Sequence, residues 1–192
     1  MKKVGVLALQ GDFEAHSRAV SRAGAEPVLA RTASDLEDLD GLVIPGGEST
    51  TMLKLLNAGG MVEPLIEFGR RRPIFGTCAG AILLASEVTH PAQQSLALMD
   101  LTVERNAYGR QIDSRVAQLT PEPAFAQRTH AGDLEAVFIR AHIIRHMGPD
   151  ARVLATYQGD PVLVEQGRHL VATFHPELSS DARVHELFVS KL

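Results

Sequence analysis

Cys78 is the only cysteine in the 192-residue chain, and it lies in the segment GTCAG at residues 76–80. This segment has the form glycine, any residue, nucleophile, any residue, glycine. Gly76 and Gly80 lack the side chains that would collide in a sharp turn from strand to helix. In such a turn the backbone amides and the helix dipole favour the thiolate over the thiol. The pentapeptide alone leaves two interpretations open, a nucleophile and a buried structural cysteine.

A thiolate nucleophile usually needs a base and a group that orients the base. The best-placed histidine is His175, which follows an apolar run in VATFHPELSS at residues 171–180. Glu177 is two residues further on, so in an extended chain the two side chains point to the same side. A carboxylate so close holds the imidazole in one tautomer and stabilises its charged form. These residues predict a Cys78-His175-Glu177 triad.

The remaining histidines give weaker signals. His142 and His146 are four residues apart, as in a helical metal site, but the catalytic-zinc motif requires glutamate directly after the first histidine and Ile143 stands there. We therefore predict no metal site. The other histidines lie in polar or loop-like segments, and we predict that they are solvated: His16, His90, His130, His169 and His185.

A third element is IPGGESTT at residues 44–51. Gly46 and Gly47 follow an apolar run and leave backbone amides exposed, as an oxyanion hole requires. The alternative is a plain strand-to-helix turn with Ser49 or Thr50 as the helix cap. The segment lacks the Gly-Lys-Ser/Thr ending of a nucleotide-binding loop.

The length of 192 residues predicts one domain, residues 1–192, and the composition is that of an ordinary globular protein. Hydrophobic residues make up 45% and charged residues 22%, and the net charge is −4. This charge favours neither nucleic acid nor an anionic membrane as a partner. A lone cysteine cannot form an intramolecular disulfide, which favours a reducing compartment, the cytoplasm. No stretch approaches the roughly 18 apolar residues of a membrane span.

The first half of the chain alternates apolar strands with helical patterns. This rhythm predicts an open, mostly parallel sheet with helices on both faces. The strands are predicted at 4–10, 26–31, 40–47 and 72–77, and the helices at 12–23, 34–39, 48–60, 62–72 and 78–88.

The second half is richer in short strands and turns. Residues 101–119 resemble two strands around a turn at Tyr108-Gly109, and a helix is predicted at 181–192. The segments 88–100 and 120–133 are predicted to be loops. Further strands are predicted within 134–144, 151–158 and 160–177.

Together, PGGEST, GTCAG and FHPEL resemble the triad-type glutamine amidotransferases, which hydrolyse glutamine with a Cys-His-Glu triad. More narrowly, GVLALQGDFEAH at 5–16, RNAYGRQ at 105–111 and VFIRA at 137–141 are similar to the glutaminase subunits of pyridoxal 5′-phosphate synthases. The likeness runs from residue 4 to the C-terminal helix, with six motifs in the expected order. The chain departs from the pattern at Tyr108 and His142, where phenylalanine and proline are expected, and we predict that neither departure touches the triad.

The resemblance implies an α/β three-layer fold, flavodoxin-like, with an open mixed and mostly parallel sheet. It implies production of ammonia from L-glutamine without a metal or organic cofactor. It also implies a large heteromeric complex with a pyridoxal 5′-phosphate synthase subunit that accepts the ammonia. The implied roles are nucleophile for Cys78, base and acid for His175, and orienting group for Glu177. The implied oxyanion hole is Gly47 and Ala79, completed on partner binding by Gln10 and Gly11, and the implied substrate-binding residues are Gly46, Gly47, Glu48, Ser49, Arg105, Ile139 and Arg140.

Other interpretations remain open on the sequence alone. The glutaminase subunit of imidazole glycerol phosphate synthase has the same triad and fold. A second class is non-catalytic, a redox sensor or chaperone of similar fold with a reactive cysteine. A third is a regulatory module that binds glutamine without hydrolysing it.

Overall fold

The computed structural model describes residues 1–106, 114–140 and 142–192. Within these ranges, seven strands form one large sheet in the order β10-β11-β12-β4-β3-β1-β2. The pairs from β12 to β2 are parallel, and the pairs β10–β11 and β11–β12 are antiparallel. These strands are β1 Lys3–Leu7, β2 Glu26–Ala30, β3 Gly41–Ile44, β4 Ile74–Thr77, β10 Ala151–Tyr157, β11 Asp160–Gln166 and β12 His169–Ala172.

The central strands are apolar along their whole length because both faces of the sheet are covered. Successive residues of β3 point to opposite faces, so Leu42 and Ile44 enter one apolar core and Val43 enters the other. All three side chains are fully buried. The predicted mostly parallel sheet between two helical layers is therefore confirmed.

The helices divide between these two cores. Helices α2, α3 and α4 contribute to the core that contains Leu42, and α1 and α6 contribute to the core that contains Val43. Their bounds, with the short α5, are α1 Phe13–Arg22, α2 Ser49–Ala58, α3 Val62–Arg71, α4 Ala79–Leu84, α5 Pro123–Ala126 and α6 Arg183–Val189.

Two small sheets stand beside the large one. Strand β6 pairs with β5 in parallel and with β9 antiparallel, and β7 pairs with β8 antiparallel. The turn predicted at Tyr108-Gly109 lies outside the described residues. The bounds of these strands are β5 Ala85–Thr89, β6 Met99–Glu104, β7 Arg115–Leu119, β8 Leu134–Phe138 and β9 Ile143–Met147.

The helix predicted over residues 78–88 is wrong in its second half. Helix α4 ends at Leu84, and Ala85 turns extended at φ −62° and ψ 151°. The chain continues as β5, which pairs in parallel with β6. The apolar run is compatible with either structure, and here the pairing partner outweighs the weak local preference for helix.

Smaller differences have similar causes. The segment 134–144 contains β8 and the start of β9, and Arg140 between them is left-handed, with φ 47°. The loop predicted at 120–133 contains the one-turn helix α5, which starts at a proline and buries Phe125. Among the described residues, no helix is long and apolar enough to cross a membrane.

Candidate active site

Cys78 stands at the turn between β4 and α4. Its backbone has φ 50° and ψ −110°, a conformation that L-residues rarely adopt. The turn is held because the Cys78 amide donates to the Ala172 carbonyl of β12 at 2.9 Å, and the Cys78 carbonyl accepts from the amide of Ala81 at 3.0 Å. The sharp strand-to-helix turn predicted from GTCAG is thus present in the structure.

The two glycines of this turn are required by close approach. A Cβ on Gly80 would lie 2.2 Å from the carbonyl oxygen of Ile44, and a Cβ on Gly76 would lie 2.5 Å from the carbonyl carbon of Gly80. These neighbours are backbone atoms, so they cannot move aside as the end of a flexible side chain can. The chain can turn sharply here only with glycine at both positions.

We expect Gly80→Ala to destabilise the protein by about 3 kcal/mol, because overpacking against backbone in a dense core is strongly unfavourable. Denaturant unfolding measures this loss. A matched control is Gly24→Ala, where φ is +87° but no heavy atom lies within 4 Å of the new Cβ. The control should lose only about 1 kcal/mol from backbone strain. Equal losses in the two variants would contradict this account of the turn.

His175 and Glu177 lie next to this turn. The His175 amide donates to the Val137 carbonyl at 2.8 Å, which fixes the chain just after β12. Nδ1 of His175 lies 2.7 Å from Oε1 of Glu177, and both side chains are largely buried. The predicted pair is therefore in contact, but through a 3₁₀ turn at Pro176–Leu178 rather than along an extended chain. The other ring nitrogen, Nε2, is buried and has no nitrogen or oxygen partner among the described residues.

The histidines around Cys78 make its thiol acidic. Burial raises the pKa of Cys78, but interactions with His142 and His175 outweigh burial and lower that pKa to about 6. Burial lowers the pKa of His175, but interactions with Cys78 and Glu177 raise it to about 10. Between these values the stable form is a thiolate beside an imidazolium, the charge state of an activated cysteine.

This electrostatics predicts how Cys78 reacts with iodoacetamide at different pH. Because the pKa of the folded thiol is lowered, the thiolate dominates above about pH 6 and is lost as the pH falls below that value. The alkylation rate of the native chain should therefore have its midpoint near pH 6. The denatured chain is the control, with a midpoint near the ordinary thiol value of about 8.5. A native midpoint at the denatured value would contradict the thiolate assignment.

Sequence reasoning missed the role of His142. We predicted that the departure at this position would not touch the triad, and this prediction is wrong. His142 is 3% exposed and acts directly on the Cys78 thiol. Its Nε2 is buried without a hydrogen-bond partner among the described residues. The only available signal was that His142 directly follows VFIRA at 137–141, a motif already assigned to substrate binding.

The loop after β3 packs against the same residues. A Cβ on Gly46 would lie 2.8 Å from the His175 ring and 3.2 Å from Cβ of Cys78, so this glycine makes room for both. Nε2 of Gln10 donates to the Glu48 carbonyl at 2.8 Å. A Cβ on Gly11 would lie 1.9 Å from the Gly46 carbonyl oxygen. The segment Gln10-Gly11 therefore lies directly on this loop.

Glu48 is the residue that caps helix α2, rather than Ser49 or Thr50, the caps in the alternative interpretation of this segment. Its carboxylate accepts from the amides of Thr50 at 3.1 Å and Thr51 at 2.7 Å. Burial raises the pKa of Glu48, but these hydrogen bonds lower it to about 2. Ser49 is buried, and its hydroxyl donates to Oε1 of Gln93 at 3.3 Å. Gln93, from the predicted loop 88–100, thus accepts a hydrogen bond from the first turn of α2.

A cleft of about 450 Å³ opens over Cys78, a size suited to a small ligand. Arg105 lines it and is held by Thr50, whose Oγ1 accepts from Nη2 at 3.0 Å, and by Glu48 at 3.6 Å. A larger open concavity of about 810 Å³ elsewhere shares no residue with this cleft. Among the described residues, no cluster of side chains is arranged to hold a metal ion. The cleft brings together Gly47, Glu48, Ser49, Cys78, Ala79, Arg105, Ile139, Arg140, His142 and His175.

Three of the histidines predicted to be solvated are buried. His16 is 0%, His185 is 1% and His169 is 7% exposed. Nδ1 of His169 accepts from the Ile74 amide at 3.1 Å, a structural contact between β12 and β4. His16 and His185 lie in helices α1 and α6, whose short amphipathic patterns do not distinguish a polar residue facing water from one facing a polar interior.

Comparison with known proteins agrees with this geometry. Residues 6–192 match the model of the SNO glutamine amidotransferase family. The chain is 65% identical over 192 residues to the pyridoxal 5′-phosphate synthase subunit PdxT of Solibacter usitatus (strain Ellin6076), covering 100% of both chains. It is 53% identical to the PdxT subunit of Koribacter versatilis (strain Ellin345), over 97% of this chain and 94% of the relative.

Solved structures confirm the fold. A crystal structure of a glutamine amidotransferase superposes with a TM-score of 0.89 at 42% identity, covering 98% of this chain and 97% of that chain. The PurLQS structure from Thermotoga maritima superposes with a TM-score of 0.76 over 98% of both chains. Its identity to this chain is 15%, so it supports the fold alone. By the extent of the family match and the identity to these relatives, the chain belongs to the SNO glutamine amidotransferase family.

Proposed function

We propose that this chain hydrolyses L-glutamine to L-glutamate and ammonia as the glutaminase subunit of a pyridoxal 5′-phosphate synthase. The observation that carries the proposal is the strained turn that presents Cys78 beside His175, which is itself bonded to Glu177 at 2.7 Å. The assignment to pyridoxal 5′-phosphate synthesis is supported by relatives named as PdxT subunits, which the chain matches over 94–100% of their length. No metal or organic cofactor takes part in this chemistry.

In the first step the Cys78 thiolate attacks the carbon of the glutamine side-chain amide. A carbon–sulfur bond forms, and the carbonyl oxygen becomes an oxyanion. Backbone amides are suited to hold this charge, and the proposed donors are those of Gly47 and of Ala79, the first residue of α4. Both residues line the cleft over Cys78.

In the second step the His175 imidazolium gives its proton to the departing nitrogen, the carbon–nitrogen bond breaks, and ammonia leaves a glutamyl thioester. His175, now neutral, takes a proton from water, and the resulting hydroxide attacks the thioester carbon. The carbon–sulfur bond breaks, glutamate leaves, and Cys78 is again a thiolate beside an imidazolium. Throughout, Glu177 holds Nδ1 of His175, so Nε2 is the nitrogen that exchanges protons.

Arginine is the side chain best suited to the α-carboxylate of an amino acid, because its planar guanidinium donates in pairs. We assign this binding to Arg105 and Arg140, both of which line the cleft. The Arg105 side chain is 14% exposed and held at one end by Thr50, so it is largely ordered before substrate arrives. Glu48, Ser49 and Ile139 also line the cleft, and Gly46 packs against His175 and Cys78. We include all four residues in the proposed substrate site.

Free ammonia protonates and diffuses away in water, so the product is useful only if a synthase subunit receives it directly. Contact of Gln10 and Gly11 with the loop at Gly46 supports a further step of the proposal. In this step, partner binding moves the Gln10-Gly11 segment and completes the oxyanion hole.

We expect little ammonia release from glutamine by the purified chain alone, and a large increase when a pyridoxal 5′-phosphate synthase subunit is added. Glutamate dehydrogenase coupling measures the ammonia. The imidazole glycerol phosphate synthase subunit is the control partner and should not activate the chain. Full activity without any partner would contradict the activation step, and activation by the control partner alone would contradict the assigned pathway.

A further inference from the structure

Two buried histidines lie behind the triad, and the mechanism above uses neither. His16 comes from α1 and His185 from α6, and Nδ1 of His16 lies 3.1 Å from Nε2 of His185. Their rings pack against the edge of Phe75, at centroid distances of 6.5 and 5.5 Å. Both residues are essentially inaccessible to water. Polar rings so deeply buried need hydrogen-bond partners. Here the two rings contact each other, and His16 also lies 3.3 Å from Glu177 of the triad.

Both imidazoles are neutral. Burial, followed by the neighbouring His185 and His175, lowers the pKa of His16 well below its ordinary value. Burial and the nearby positive charge of Arg22 lower the pKa of His185 to about 3. Each ring therefore carries one proton at neutral pH, and the open question is which nitrogen holds it.

The surrounding atoms decide the tautomers. Nε2 of His16 lies 3.3 Å from Oε2 of Glu177 and 3.0 Å from Oγ1 of Thr77. A bare lone pair so close to a carboxylate would be repelled, so the proton of His16 is on Nε2. Nδ1 of His16 must then accept from Nε2–H of His185. This leaves Nδ1 of His185 without a proton, which agrees with its lack of a hydrogen-bond partner among the described residues.

We propose that His16 and His185 are positioning residues for Glu177: His185 fixes the tautomer in which the Nε2–H of His16, hydrogen-bonded to Thr77, places its positive dipole beside the Glu177 carboxylate. The proposal rests on the proposed function. Oε1 of Glu177 is bonded to His175, while Oε2 makes no hydrogen bond among the described residues. The hydrogen bond of His16 Nε2 is to Oγ1 of Thr77 at 3.0 Å, so its 3.3 Å contact with Oε2 is electrostatic. The Glu177 side chain is 1% exposed, so water does not stabilise its second oxygen, and the His16 Nε2 proton is a positive dipole 3.3 Å away.

The consequence reaches Cys78 through the triad. A buried carboxylate that loses stabilisation binds a proton more readily, and the nearest proton is on Nδ1 of His175. Transfer of that proton would leave His175 neutral and remove the positive charge that stabilises the Cys78 thiolate. A change at His185, which touches neither substrate nor triad, should therefore alter the ionisation of a cysteine in another element.

The test compares His185→Leu with His185→Gln in the complex with the synthase subunit. Gln keeps an N–H donor for His16, and Leu does not. We expect H185L to lower kcat at least about tenfold, with KM for glutamine unchanged. This loss is a part of the rate that a positioned acid–base group contributes. Its Cys78 alkylation midpoint should move to higher pH, and H185Q should restore most of both. Leu187→Ala, a buried change in the same helix, is the control that should lower stability and leave the midpoint unchanged.

Nitrogen-15 spectra of the imidazoles in the unmodified chain give a second measurement that needs no variant. We expect His16 and His185 both to be neutral and protonated at Nε2. The opposite tautomer of His16, or unchanged kcat and alkylation midpoint in H185L, would overturn the positioning role. Because alkylation and spectra do not require turnover, they test this role even if the unmodified chain fails to hydrolyse glutamine, which would overturn the proposed function instead.

Discussion

Cys78→Ala is expected to lower the rate of glutamine hydrolysis by at least about four orders of magnitude, because no covalent intermediate can form without the sulfur. The chain has no second cysteine that could substitute for it. The effect should be on kcat, since the cleft, Arg105 and the loop at Gly46 remain to bind glutamine. Ammonia release by the complex with the synthase subunit measures the loss.

The fold should tolerate this change. Alanine removes one sulfur atom from a partly buried position, and its Cβ is already present in cysteine. We expect the free energy of unfolding to change by less than about 1 kcal/mol, and the variant should still bind the synthase subunit. A folded variant that retains hydrolysis would remove Cys78 from the mechanism and leave it as a structural or redox residue.

His175→Ala is expected to have the second largest effect, a loss of about three to four orders of magnitude in kcat. The variant loses the proton donor for ammonia and the base for water. It also loses the positive charge beside Cys78, so the alkylation midpoint should rise toward the ordinary thiol value. A rate loss without any change in that midpoint would contradict the thiolate–imidazolium pair.

His142→Ala is the matched comparison, because both histidines lower the pKa of Cys78. Only His175 is bonded to a carboxylate, Glu177, that stabilises its charged form. We therefore expect H142A to raise the alkylation midpoint while retaining much more hydrolysis than H175A. Equal losses of kcat in the two variants would mean that the assignment of acid and base to His175 alone is incomplete.

The sequence indicates the turn at Cys78 and the His175–Glu177 contact because both depend on nearby residues. The turn at Cys78 needs glycine at positions 76 and 80 for reasons of space that involve only nearby backbone. The contact between His175 and Glu177 spans two residues, so it too is almost local. The alternation of apolar runs and helical patterns defines the parallel sheet, and the carboxyl ends of parallel strands bring the loops at Gly46 and Cys78 to one edge.

Long-range contacts explain what the sequence could not predict. His16 and His185 are 169 residues apart, and nothing in either helix pattern indicates that the two rings meet. His142 reaches Cys78 across 64 positions and lies outside any local motif for a thiol. The end of α4 at Leu84 depends on a strand partner, β6, that begins at Met99. Each of these features is decided by tertiary pairing rather than by local propensity.

The most direct test of the central claim is to trap the glutamyl thioester on Cys78. The complex with the synthase subunit is mixed with glutamine and quenched in acid after a fraction of a turnover, and the intact chain is weighed by mass spectrometry. The account predicts a mass gain of one glutamyl group that maps to the peptide containing Cys78 and is released by hydroxylamine. Rapid ammonia release with no such adduct at any quench time, or an adduct on another residue, would contradict it.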